Sequence, residues 1–254
     1  MTRLNEIWLL ILWNIIAFLI SYTYGNNYLI TAFYFFVIPS IYLSIRRPII
    51  IRKISLVSFI LVIPAVTIVS YFAHIDGSWY NPSVIGIRFF DAYPLDDFIW
   101  VFLYFYYILA VYEYFFEREK ILTLPKKFIN FEFIGLILSF VFTIYVYWRE
   151  IPITISYFYL WIVIILFLFL PGLIFAFHPK VFIKAIYTGL FFIPLSFLYE
   201  YIANIKGNWF FPGNNFIGYV QLPGVSFPLE EFFFLFLAVP ALVACYEFLA
   251  DDKK

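Results

Sequence analysis

The sequence predicts an all-α membrane protein, a polytopic bundle of about eight transmembrane helices built from two parallel four-helix repeats. Three observations predict it: a composition too apolar for a soluble fold, eight stretches long enough to span a bilayer, and an internal repeat. Of the 254 residues, 65% are hydrophobic and 13% charged, against about half and about a quarter in an ordinary soluble domain. Crossing a hydrocarbon layer of roughly 30 Å takes about 20 mainly apolar residues in a helix. Such stretches run over 5–22, 28–45, 54–73, 94–116, 131–148, 155–177, 181–203 and 228–249.

The first stretch follows Met1-Thr-Arg-Leu-Asn and has the look of a signal peptide, but no small-residue cleavage pattern follows it, so a retained helix is expected. A short polar turn leads to the second. Arg46, Arg47, Arg52 and Lys53 form a basic connection to the third. The third ends in Gly77-x-Trp79 and Pro82, read as a turn carrying an aromatic residue at the membrane boundary. The fourth opens on Ala92-Tyr-Pro-Leu-Asp-Asp, a helix start in which proline occupies the first turn and acids complement the helix dipole. Glu117 to Asn130, charged and containing Pro125, reads as the linker between a first repeat, 1–116, and a second, 131–254. The fifth and sixth stretches follow, then Lys180 and Lys184 beside the seventh. Gly207-x-Trp209 and Pro212 come next, and Ser226-Phe-Pro-Leu-Glu-Glu opens the eighth.

Formal net charge is zero, but thirteen of the sixteen Lys and Arg residues fall at the termini or in even-numbered gaps. Only Arg88, Arg149 and Lys206 lie on the other side. Basic residues favour the cytoplasmic face, so both termini are expected inside the cell and the long Gly-x-Trp loops outside. Nothing in this balance calls for a nucleic-acid partner. One cysteine, Cys245, excludes an intrachain disulfide and a cysteine metal cage, and two histidines are too few for a multi-histidine site.

A forward shift of 130 maps Pro64, Tyr71, Ala73, Gly77, Trp79 and Pro82 onto Pro194, Tyr201, Ala203, Gly207, Trp209 and Pro212. A shift of 134 then maps Pro94-Leu-Asp96-Asp97-Phe98 onto Pro228-Leu-Glu230-Glu231-Phe232, and Tyr112-Glu113 onto Tyr246-Glu247. Four spans per repeat give both halves one orientation, related by an axis along the membrane normal, with a site expected between them.

One acid at each helix start is explained by the dipole. Two adjacent acids are not, because neighbours on a helix point about 100° apart, so that one caps the helix while the other faces the bundle. Glu200, at the outer end of the seventh stretch where the first repeat has Ser70, is either a functional intramembrane acid or an interfacial partner of Lys206. Glu113 and Glu247 lie about 16 residues beyond the acid pairs, about 24 Å along their helices, and read as solvated ends. Aromatic residues make up 26% of the chain, more than membrane anchoring needs, and their π-faces attract cations.

The run Glu200-Tyr-Ile-Ala-Asn-Ile-Lys-Gly-Asn-Trp209, then Gly218, then Pro228-Leu-Glu-Glu-Phe232 resembles the lycopene cyclase domain family, and the fusion of two related halves is similar to that family's fused members. The chain departs from the pattern in having Glu200 where Asp is frequent, and Ser70 and an Asp pair in the first copy. The resemblance implies non-redox, acid-catalysed closure of the end groups of an acyclic polyene such as lycopene into β-type rings, without a cofactor. No Gly-x-Gly-x-x-Gly nucleotide fingerprint is present.

A carboxylic acid would protonate the terminal alkene, the neighbouring alkene would close the ring on the cation, and a proton would then leave. The resemblance makes Glu230 or Glu231 the proton donor, with Glu200 taking back the ring proton or orienting the donor. Asp96 and Asp97 form either an equivalent site or a structural relic. Trp209, Trp79, Phe232 and Tyr201 are the aromatic candidates for substrate contact. The rival readings are cyclisation of a longer polyene, hydration of its end group, a transporter with parallel repeats, and a scaffold in which the acids are dispensable.

Overall fold

The computed structural model describes residues 2–25, 27–89, 93–117, 125–149 and 153–250. Among them, eight helices are long and apolar enough to cross a membrane: α1 Arg3–Tyr24, α2 Tyr28–Arg46, α3 Pro48–Asp76, α4 Leu95–Phe116, α5 Phe128–Val146, α6 Phe158–Phe177, α7 Pro179–Ile205 and α8 Leu229–Ala250. The chain is an all-α integral membrane protein, as its composition predicts. Large side chains at the periphery, among them Trp148, Phe177 and Ile45, are exposed where lipid would cover them. Of the expected linker and charge count, residues 118–124 with Arg118 and Lys120, and the terminal Lys253 and Lys254, lie outside the described residues, as does Ala92.

Helices α3 and α7 are among those that start earlier than their apolar stretches. Pro48 opens α3 and Pro179 opens α7, each in a first turn where the missing N–H costs nothing. Arg52, Lys53 and Lys180 are therefore helical, as Lys184 is, and belong to no turn. Glycines close the C-terminal ends of α3 and α7. Gly77 and Gly207 cap α3 and α7 with φ of 71° and 64°, a conformation that other residues reach only with strain. Short antiparallel hairpins then lead into the acid-bearing helices: β1 Arg88–Phe89 with β2 Tyr93–Pro94 before α4, and β3 Tyr219–Leu222 with β4 Val225–Pro228 before α8.

Helices α4 and α8 occupy the centre. Helices α2 and α3 pack on α4, α6 and α7 pack on α8, and the first helix of each repeat docks on the third helix of the other, α1 on α7 and α5 on α3. Equivalent residues meet each other at both ends of this arrangement. Tyr80 and Phe210, 130 positions apart, exchange two backbone hydrogen bonds of 2.8 and 2.9 Å, and their rings stack at 5.4 Å. At the opposite end Tyr112 meets its equivalent Tyr246, ring centroids 5.9 Å apart. Residues that touch their own symmetry mates lie on a two-fold axis. The pseudo-axis therefore runs from loops to loops along the helix direction, as a parallel repeat requires.

Both repeats also carry a π-helical turn at the same place, Phe33–Val37 in α2 and Val163–Phe169 in α6. A further π turn, Ala65–Ser70, follows Pro64 in α3, whereas its equivalent Pro194 sits within a continuous α7. Such turns are rare and frequent at functional sites.

Candidate functional site

The two acids of each pair occupy the first turn of α4 or α8 and part company, as a 100° step dictates. The first acid of each pair turns to the loop. Asp96 accepts from the Ser83 hydroxyl and from the backbone N–H groups of Val84 at 3.2 Å and Ile85 at 3.1 Å. Glu230 accepts from the N–H of Ile217 at 2.8 Å. The second acid faces the bundle. Asp97 accepts from the Asn81 amide and lines the same cavity as Ser70, and Glu231 accepts from the Tyr159 hydroxyl.

Glu200 reaches the same place from α7. Its carboxyl accepts from Trp209 Nε1 at 3.0 Å and from the Asn204 amide, and it lines the same small cavity as Glu231. Glu200 and Glu231 are 2% and 6% exposed, and among the described residues neither enters a salt bridge. The alternative pairing of Glu200 with Lys206 is not formed, because the Lys206 ammonium lies over the Tyr22 ring at 5.7 Å.

Asp97 and Glu231, one from each repeat, line a single cavity of about 520 Å³. Trp79, Trp209 and Tyr159 complete its acid-bearing end together with Asn81, and the Trp79 and Tyr159 rings meet edge to face at 5.1 Å. Beyond this end the walls are almost wholly apolar. Trp100 lines the cavity too; its ring meets Trp209 at 5.8 Å, and its Nε1 donates to the Tyr199 hydroxyl at 2.8 Å.

The structure thus brings together Glu231, Glu200, Asp97, Trp209 and Trp79 and leaves out other expected residues. Phe232 is one step round α8 from Glu231 and packs on Phe233 and Phe236; Phe234, three residues on, takes the place at the cavity. Tyr201 likewise faces away, donating its hydroxyl to the Pro223 carbonyl at 3.0 Å and packing on Phe18. Asp96 and Glu230 tie the loops to the helix starts. Glu113 and Glu247 are not solvated ends: they are 2% and 9% exposed because α3 and α7 bring cations to them. Lys53 lies 3.2 Å from Glu113, which also accepts from the Tyr246 hydroxyl, and Lys184 lies 3.9 Å from Glu247.

Sequence reasoning missed Tyr159, Asn81 and Trp100. For Trp100 a signal exists, since i and i+3 share a helix face and Trp100 stands three residues after Asp97, as Phe234 does after Glu231. Asn81 follows Gly77-x-Trp79 by two positions, but its equivalent is Phe211, so the repeat hides it. Tyr159 comes from α6, and no local pattern links it to an acid 72 residues away. Compared with family models, curated proteins and solved structures, the chain finds no match.

Proposed function

We propose that the chain is a membrane-embedded cyclase that closes rings at the end of an apolar polyene such as lycopene by proton transfer, with no net redox change. The observation that carries this reading is the placing of Glu200 and Glu231 together, both buried, beside an aromatic, otherwise apolar cavity. In this reading Glu231 is the proton donor. It delivers its proton to the terminal alkene, the cation is met by the π-faces of Trp79, Trp100 and Trp209, and the neighbouring alkene supplies the electron pair that closes the ring. Loss of a ring proton to Glu200 restores neutrality, and transfer between the two neighbouring carboxyl groups returns the proton to Glu231. Tyr159, Asn204 and Trp209 position the pair by donating to it.

Asp97 has Ser70 and Asn81 where Glu231 has Glu200, so the first repeat lacks a second carboxyl to share the proton. In membrane orientation the reading places both termini in the cytoplasm. It is supported by the clustering of Arg46, Arg47, Lys53 and Lys184 with Glu6, Glu113, Glu117 and Glu247 at the end of the bundle remote from the cavity acids.

One observation favours a second reading, addition of water to the same cation. The Tyr28 hydroxyl and Asn81 Oδ1 are buried in the cavity wall without a protein partner, and an unsatisfied buried polar group costs about 1–3 kcal/mol. Each is suited to hold a water molecule.

Purified protein in lipid vesicles loaded with lycopene, incubated in heavy water without any added cofactor, separates the two. The cyclase reading expects an isomer of lycopene that carries deuterium from the solvent. A product that has gained the elements of water identifies a hydratase, and unchanged lycopene rejects both.

A further inference from the structure

The pseudo-two-fold axis generates two crevices between the repeats, and their contents differ. One lies between α2, α4 and α7 and is packed with rings: Phe36, Tyr104, Tyr107, Phe192 and Tyr199. Phe36 lies 4.8 Å from Tyr199 and 5.5 Å from Tyr104, and Tyr107 lies 5.0 Å from Phe192. All five are buried, and only about 30 Å³ remains there, beside Glu200.

The other crevice lies between α6, α8 and α3. By the shifts of 130 and 134, its equivalents of those five residues are Leu166, Ala238, Ala241, Val62 and Val69. Every aromatic ring has become an aliphatic side chain. Four of the five, all but Val62, line the 520 Å³ cavity. The repeat itself therefore explains the cavity: the same backbone framework is filled on one side and hollow on the other.

The hollow side is elongated. Its wall follows α8 from Glu231 to Cys245, a rise of about 21 Å. The polar side chains gather toward the end near Glu231 and Asp97. Leu166 and Leu170 of α6 line the cavity and are also 38% and 41% exposed, so the hollow reaches the lipid-facing surface beside α6.

We infer that this crevice is a slot for one extended hydrocarbon chain. The chain lies along α6 and α8 with its terminal group at Glu231, and its remainder leaves beside α6 toward the bilayer. Ala238 and Ala241 admit it by being small, and Phe36, Tyr104 and Tyr107 close the second crevice, so that one end group is held at a time. The slot deepens the cyclase reading and rests on it for the identity of the chain, but it is tested by binding alone.

The probe is lycopene, equilibrated with detergent-purified protein and counted in the monomer-sized fraction after size exclusion. Ala241→Phe fills the slot outright, and Leu166→Phe copies the ring that the other crevice already carries at Phe36. The wild type is expected to retain lycopene, and both variants to retain at least tenfold less while eluting as the wild type does. Full retention by either correctly eluting variant, or none by the wild type, overturns the slot. Should Ala241→Phe aggregate, Leu166→Phe decides. A wild type that binds lycopene without converting it keeps the slot and removes the cyclase reading; conversion unimpaired by both fillings does the reverse.

Discussion

At the scale of single residues, position in the first helical turn decides which acid does what. Asp96 and Glu230 receive N–H groups from the preceding loop, while Asp97 and Glu231, one step on, point into the cavity. The pairing of acids was legible in the sequence, and so was the need for the two members to differ. Which of the two faces inward was not, because it depends on the approach of the loop at Ser83–Ile85 or Ile217. Trp209 gives the clearest test at this scale. Its indole N–H is one of two side-chain donors outside the acid pair that hold Glu200, and phenylalanine keeps much of the ring while removing that donor. Trp209→Phe is expected to lower ring formation about tenfold to a hundredfold, in line with the general acid–base contributions it would disturb. Lycopene retention should stay within about twofold. Loss of both together would make Trp209 a packing residue only.

At the scale of elements, the helix caps show the repeat in its most literal form and also where it fails. Gly77 and Gly207 both take positive φ, as the repeated Gly-x-Trp spacing leads one to expect. Their surroundings are unlike. A methyl group at Gly77 would lie 2.8 Å from the backbone nitrogen of Gly213, whereas at Gly207 it would meet open space. Gly77→Ala is therefore expected to destabilise by about 2–4 kcal/mol and Gly207→Ala by about 1 kcal/mol, the cost of a left-handed alanine. Thermal unfolding in detergent reads the difference, and equal losses would show that the Gly77–Gly213 contact contributes nothing.

Helix boundaries follow the same lesson. Apolar stretches located all eight spans, but Pro48 extends α3 beyond the apolar residues and carries Lys53 into the bundle, where Lys184 of α7 also finds a carboxylate. A hydropathy argument counts Lys53 as a loop residue and leaves Glu113 and Glu247 apparently solvated, because the partner that permits burial comes from another helix.

At the scale of the whole molecule, two repeats alike in fold are unequal in chemistry. The equivalences that place Tyr80 on Phe210 and Tyr112 on Tyr246 give the symmetric frame. Replacement of Ser70 by Glu200 gives the second repeat a carboxyl pair, and replacement of five rings by aliphatic side chains opens one crevice. The frame could be read from a shifted alignment of the chain with itself. The opened crevice was present in that same alignment but carried no meaning until the structure showed that Phe36, Tyr104, Tyr107, Phe192 and Tyr199 share one space. The most direct measurement is chromatography of the pigments in lycopene-accumulating bacteria expressing the wild type, Glu231→Gln or Asp97→Asn at equal levels. Acid catalysis by the second repeat predicts ringed product from the wild type, a loss of at least a hundredfold in Glu231→Gln, and ring formation kept within about tenfold in Asp97→Asn; undiminished rings from Glu231→Gln would contradict it.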